Sequence, residues 1–459
     1  MADASEMRRQ GQGVALVGFL QAQNCSVLTA SWRHPAATLD FLSPRYYRRL
    51  ATLLEDGGFQ LAFFDDRLAM PSTFGGDHRI AVEEGIRPIK LDPIPLLSIM
   101  SAVTDRLGLG ATYSTTYYEP YHVARLFQTL DHISGGRAAW NVVTSLNRAE
   151  AENFGRKEHL AHDARYDRAE EFLAAVFGHW TSWDDDALVM DPESGVFADP
   201  DKVRQIGYEG EFVRTKGPFT VPRSPQGHPV IIQAGQSGRG SRFAAKWADL
   251  LFCMFSSFEM GQASYKRIKE QVADAGRDPD DVRVCPAIYV IVGETRSMAE
   301  DKLALLDSLN RPNDAVVVLS EQLDFDFSRK PMDEAFTDEE LAAINGLQAL
   351  RDRIIARSGK SNPTVRDFIT HSLKSNVREQ PLFCGTGKDV ADQIEAWFNG
   401  RAADGFVIPA TNVPGTFEDF GRLVSPELRK RGLLRTAAPG ATLRDSLGLP
   451  AAATAVPAQ

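Results

Sequence analysis

The chain has 459 residues, 43% of them hydrophobic, and a formal net charge of −10. That length supports a large core, in two or three domains or in one elaborated α/β barrel, and the acidic total argues against general nucleic-acid affinity. Four widely spaced cysteines (Cys25, Cys253, Cys285, Cys384) without a C-x-x-C predict reduced thiols; with no apolar signal region and no run near the roughly 18 apolar residues that span a bilayer, a soluble cytoplasmic protein is expected.

Short apolar runs alternate with stretches of helical period. "VALVGFL" (14–20) reads as strand one, 44–56 as a helix, and "FQLAFF" (59–64) as strand two. A helix over 94–106 precedes strand three, "LGLGATYST" (107–115); a helix over 120–134 precedes strand four, "RAAWNVVTS" (137–145). A long connection follows, with a helix from 164 onwards and a hairpin around 207–217. Strands five (229–235), six (250–255) and seven (282–292) come with helices over 239–248, 258–275 and 297–309. Residues 311–380 read as charged and irregular with helical stretches; a helix over 387–400 leads to strand eight (404–410). Eight strands, most followed by a helix and several nearly all apolar, predict a (β/α)8 TIM barrel with insertions after strands four and seven. The expected division is one barrel domain over 1–436, carrying inserted segments 146–228 and 311–380, and a loose Ala/Pro-rich tail over 437–459.

In such a barrel, catalytic and binding groups lie at the C-terminal strand ends, and polar residues collect there. Strand two ends in Asp65 and Asp66, and strand three runs into Thr112, Ser114, Thr116, Tyr118 and His122. Strand four carries Asn141, Thr144, Ser145 and Asn147, and strand eight ends at Thr411 and Asn412. Strand five ends in "QAGQSGRG", a glycine-rich turn whose amides can hold an anion at a helix start, although it is neither G-x-G-x-x-G nor a Walker sequence. His162 and Tyr166 lie four apart on one helix face, a spacing that suits a phosphate. Singly, each has a plainer explanation: Asp66 as a loop cap, the hydroxyls as strand propensity, Asn141 as a satisfied core amide, and Asp163 as an N-cap beside His162. The histidines complete no metal set, so no metal is expected. No G-x-S-x-G elbow marks a hydrolase.

Four segments together carry a family resemblance. They are "TTYYEPYHVARLFQTLDHISGGRAAWNVVTSLNRAEAENFG", "HDARYDRAEEF", "VPRSPQGHPVIIQAGQS" and "AADGFVIPA". They resemble the bacterial luciferase-like flavin monooxygenases, specifically the group with nitrilotriacetate monooxygenase component A and dibenzothiophene sulfone monooxygenase. The resemblance covers about 14–310 and 382–450. It implies reduced FMN from a separate NAD(P)H:flavin reductase, O2 as cosubstrate, and a homodimer or homotetramer. It places Asp66, Thr112 and Asn141 near the flavin ring, with Thr112 and Asn141 positioning O2. It assigns the phosphate to His162, Tyr166, Ser237 and the backbone about Gly235, and the substrate pocket to Phe19, His34, Met70 and Tyr118. One departure is "FFDDRLA", where relatives place Pro or a small residue before the matching Asp.

The implied activity is oxygenation and cleavage of a C–N, C–S or C–halogen bond in a small, aromatic or heterocyclic substrate. The alternatives are a deazaflavin-dependent oxidoreductase of the same superfamily and a non-catalytic flavin-binding protein. No acid–base residue stands out; His34 and His122 are candidates only.

Overall fold

A computed structural model describes residues 9, 11–145, 147–235, 238–344, 346–438 and 440–452. The first seven strands of the main sheet, all parallel, are β1 (Ala15–Gln21), β2 (Leu61–Asp65), β3 (Gly108–Ser114), β4 (Ala138–Val143), β5 (Val230–Gln233), β6 (Leu250–Cys253) and β7 (Arg283–Pro286). A side pair follows, β8 (Tyr289–Gly293) and β9 (Leu382–Thr386), and then β10 (Gly405–Pro409). The main sheet runs β7-β6-β5-β4-β3-β2-β1-β10. Its ends meet: the Asp404 amide donates to the Val284 carbonyl at 2.8 Å, and that of Ile288 to Val407 at 3.0 Å. The (β/α)8 barrel is therefore present, flanked by helices.

The sequence sets these helices locally. Ser43 caps α1 (Pro44–Asp56) and Asp92 caps α2 (Pro93–Ser101), each side chain accepting a first-turn amide with Pro at the first helical position. Helix α3 (Pro120–Ile133) precedes β4. The first insertion holds α4 (Arg148–Asn153), α5 (His162–Trp180) and two short hairpins, one of them at the expected 207–217. After β5 come α6 (Gly238–Trp247) and, past β6, α7 (Phe258–Asp274).

Three expectations are corrected. Strand seven is not continuous over 282–292. It breaks after Pro286, and β8 leaves the barrel to pair in parallel with β9, a strand the sequence pattern did not reveal. The segment 311–380 is ordered: helices α8 (Pro312–Leu323), Gln348–Ser358 and Val365–Ser372 enclose a small core in which Phe327, Phe336 and Phe368 pack ring on ring. Past α9 (Gly387–Asn399), the tail is not loose throughout. Helix α10 (Leu443–Leu447) puts Leu443, Leu447 and Leu449 into the same core as Ala15, Val17 and Val407, so it closes the N-terminal end of the barrel. Gly108 permits this, because a Cβ there would lie 2.5 Å from the Leu443 Cδ1. Buried Arg444 anchors the helix by pairing with Asp249 at 2.8 Å. No helix among the described residues is long and apolar enough to cross a membrane.

Leu443 is completely buried, so Leu443→Ala should destabilise the protein by about 2–5 kcal/mol. Denaturant unfolding of the two proteins checks this; an unchanged midpoint would mean the plug adds no stability.

Candidate active site

Strand alternation decides what faces the barrel axis. Val17 and Phe19 of β1, Leu61 and Phe63 of β2, Ala139 of β4 and Ile232 of β5 share the inner core. Asn141, two residues past Ala139, therefore points inward, while Trp140 points outward among Phe127, Phe172 and Trp180. On β3, Thr112 stands opposite Asn141 in register. Near the C-terminal end the inner wall changes from apolar to polar.

Thr112 and Asn141 are brought together. The Thr112 hydroxyl donates to the Phe64 carbonyl at 2.9 Å and accepts from the Asn141 Nδ2 at 2.9 Å. That fixes the amide and leaves its Oδ1 buried with no partner among the described residues. Such an acceptor costs about 1–3 kcal/mol unless a ligand supplies a donor. Below the pair, Phe19, Phe63 and Phe252 form an aromatic floor with ring centroids 5.2–6.3 Å apart.

Beside it, Asp65 at the end of β2 accepts from Gln21 Nε2 at 2.7 Å and from Lys90. The unusual "DD" pair thus separates: Asp65 holds a buried lysine, and Asp66 accepts from the Arg67 amide at 2.8 Å. Burial pushes the Asp66 carboxyl up to about 7, against the pull of Lys90 and the Arg67 amide.

At the β5 end, His162 and Tyr166 come together with ring centroids 5.1 Å apart. Asp163 does not cap α5; Ala161 occupies that position, and Asp163 accepts from the His162 Nδ1 at 2.8 Å. The Tyr166 hydroxyl reaches the first turn of α6 because residue 240 is glycine; a Cβ there would lie 2.6 Å from the Tyr166 oxygen. Burial raises the Tyr166 phenol, and hydrogen bonding to Thr144 and Gln233 lowers it. The Gly235 amide donates to the Gln233 side chain. Ser237 lies outside the described residues.

The proposed substrate residues divide. Tyr118 lies against Tyr113, at 4.8 Å between centroids, and against Phe154. Phe19 belongs to the floor. His34 ends a 3-10 turn, its Nδ1 accepting from the Ala36 amide, and Met70 is 40% exposed; among the described residues neither bonds to Thr112, Asn141 or Tyr118. Sequence reasoning missed Gln21, Lys90, Phe252 and Gly240. The last lay within the glycine-rich turn already singled out. The others carry no local signal.

A family model described as luciferase-like monooxygenase matches residues 24–404. The chain belongs to this family. It is 44% identical to dibenzothiophene-sulfone monooxygenase of Rhodococcus erythropolis, over 96% of this chain and 97% of that one. It is 38% identical to nitrilotriacetate monooxygenase component A of Aminobacter aminovorans, over 94% and 96%. A solved riboflavin lyase with modified FMN and riboflavin superposes with a TM-score of 0.84 at 30% identity, covering 96% of each chain. The protein is thus a flavin-dependent, luciferase-like monooxygenase. That displaces the hydride-transfer and non-catalytic alternatives. The family model also spans 311–380, where the sequence resemblance was weakest.

The raised Asp66 carboxyl has a consequence in this monooxygenase. Between the usual 3.8 and about 7, the unfolded chain releases a proton that the folded one retains, so stability falls as pH rises through that window. Asp66→Asn should therefore gain stability relative to wild type from pH 4 to 7. Parallel thermal melts at each pH measure the gap, and a gap independent of pH would refute the shift.

Proposed function

We propose that this protein is the oxygenase component of a two-component system that uses reduced FMN and O2 to oxidise and cleave a small aromatic or heterocyclic substrate at a C–N, C–S or C–halogen bond. A separate NAD(P)H:flavin reductase would deliver the flavin, and the assembly would be a homodimer or homotetramer. The observation that carries the reading is the Thr112–Asn141 pair, with its unpartnered Asn141 Oδ1 above an aromatic floor.

The residues present fit FMN. Asn141 offers a buried acceptor suited to a ring N–H, and Asp66 is a further ring neighbour. His162, Tyr166 and the first turn of α6 form a cradle at a helix N-terminus, where the macrodipole favours an anion; Gly235 lies just before it in the chain, and Ser237 is the further phosphate partner that the family resemblance implies. Reduced FMN, when bound, supplies the electrons by which O2 is activated. The second Asn141 N–H can stabilise negative charge developing on oxygen, as oxyanion donors do. Thr112 keeps that amide from rotating. The buried strands around the pair keep water out.

The names of the relatives bear on the substrate. A relative named for dibenzothiophene sulfone and a similar structure solved with riboflavin support an aromatic or heterocyclic substrate, and the Phe19–Phe63–Phe252 cluster supplies apolar aromatic surface below the Thr112–Asn141 pair.

Aerobic turnover with FMN, NADH and a general flavin reductase, read by mass spectrometry over a mixed panel, tests the class. Oxygenated aromatic or heterocyclic products are expected; turnover of aliphatic chelators alone would overturn the substrate assignment. Asn141→Ala should lower turnover by about 100-fold while flavin affinity falls by a clearly smaller factor, and undiminished turnover would remove Asn141 from the mechanism.

A further inference from the structure

Two polar pairs stand level with one another above the aromatic floor. Phe63 of β2 lies opposite Gly110 of β3, and Gly110 opposite Ala139 of β4. Two residues further on, β3 and β4 present Thr112 and Asn141. Two residues past Phe63, β2 presents Asp65, opposite Gln21 of β1. Residues two apart on a strand share a face, so Gln21 and Asp65 follow Phe19 and Phe63 on the inner wall. A polar arc of Gln21, Asp65, Thr112 and Asn141 therefore crosses four neighbouring strands in one layer.

The two halves of the arc differ in charge. Asp65 is an inward carboxylate whose side chain is 31% exposed. The Gln21 amide donates to one of its oxygens at 2.7 Å and Lys90 to the other. Gln21 is held in that orientation because its own side-chain carbonyl accepts from Gln23 Nε2 at 2.5 Å. The Lys90 side chain is buried, so it is a fixed part of the wall. An ionised carboxylate offers about four acceptor sites, so two donors leave room for another. Asp65 stands two strand spacings from Asn141, roughly 10 Å across the wall, so one acceptor can serve the flavin and the other the substrate.

We propose that Asp65 is a specificity residue of this site, taking a hydrogen bond from an N–H group of a neutral, planar heterocyclic substrate. The inference rests on the reading of this mouth as the substrate site of an oxygenase, and it names what that substrate must carry. The neighbouring groups select among donors. Lys90 already balances the carboxylate, and Arg67 follows two residues on, so a cationic amine gains little there. An anionic group would meet the carboxylate itself. A neutral N–H meets neither obstacle, and the rings of Phe19 and Phe63 below favour a flat molecule. A substrate without the donor would strip water from Asp65 and return no hydrogen bond; sites of this kind discriminate strongly.

Carbazole and dibenzofuran test this, because they share a flat tricyclic shape and differ by an N–H against an oxygen. Equilibrium dialysis against the FMN-loaded protein should show carbazole bound about 100-fold more tightly. Asp65→Ala should bring the two compounds within about threefold of each other. The double variant Asp65→Ala/Lys90→Met removes the lysine that the single change leaves unpaired, and it should behave alike. Both variants should bind FMN as wild type does. Equal binding of the two compounds by wild type, no binding of carbazole, or a preference that survives in both variants would overturn the proposal. So would a loss of FMN affinity as large as the loss of carbazole binding, which would give Asp65 to the flavin. The dialysis needs no turnover. Oxygenated product without a preference would defeat this inference alone, and a preference without oxygenated product would defeat the oxygenase reading alone.

Discussion

Closure of the strand ring is the constraint from which the site follows, and one carboxylate organises it. Asp404, at the start of β10, accepts from Val284 N at 3.0 Å, Tyr265 Oη at 2.8 Å and Arg9 Nε at 3.1 Å, with Lys269 Nζ also 3.0 Å away. Burial alone would raise this carboxyl; Lys269, Arg283 and Arg9 together hold it well below the usual range. A buried ion cluster adds little net stability, because desolvation offsets attraction. Its effect is on register. The Asp404 backbone and side chain both meet Val284, so β7 and β10 join at one offset. Since a slip of one residue turns every side chain to the opposite face, that offset helps keep Val407 inside the ring with Ala139 and Cys285.

The two ends of the barrel are then finished by different groups. At the N-terminal end, α10 supplies leucines, and Asp249 accepts from both Arg444 and the Ile231 amide. At the C-terminal end, Asn141 Oδ1 and Glu150 Oε2 are buried acceptors without partners among the described residues. Unsatisfied buried acceptors are uncommon in native proteins. Asn141 Oδ1 stands on the inner wall at the end where parallel barrels carry out chemistry, where a ligand with a donor of its own can satisfy it.

Much of this was legible in the sequence because the signals are local. The alternation in β4 needs six residues, and the capped starts of α1 and α2 need three or four. What was misread depends on distant partners. The run 282–292 is apolar throughout, so nothing local shows that it serves two sheets; the break follows from β9, almost a hundred residues away. The α10 helix is too short to stand on its own propensity and exists because Leu443 and Leu447 have a barrel to enter. Lys90 and Glu150 sit in a loop and on a six-residue helix, where pattern gives no weight to a single charge. Asn141 was the opposite case: a polar residue at an inward position of an apolar strand is a local contradiction, and here it marks the site.

The second insertion bears on what the site can accept. Glu321 of α8 accepts the amides of Ser72 and Thr73 at 2.9 and 2.7 Å with one oxygen, and Asn147 Nδ2 at 3.0 Å with the other. One side chain thus ties the loop after β2 to the start of α4, which carries Glu150. Thr112 and Asn141, by contrast, rest on β3 and β4 and on the hydrogen bond between them. Changes in the insertion can therefore move the part of the mouth with Met70 and the Arg67–Leu68 loop, while Thr112 and Asn141 stay where the barrel puts them. That separation lets the mouth vary without disturbing the polar pair on the inner wall, in a family whose members are named for substrates as different as a sulfone and nitrilotriacetate.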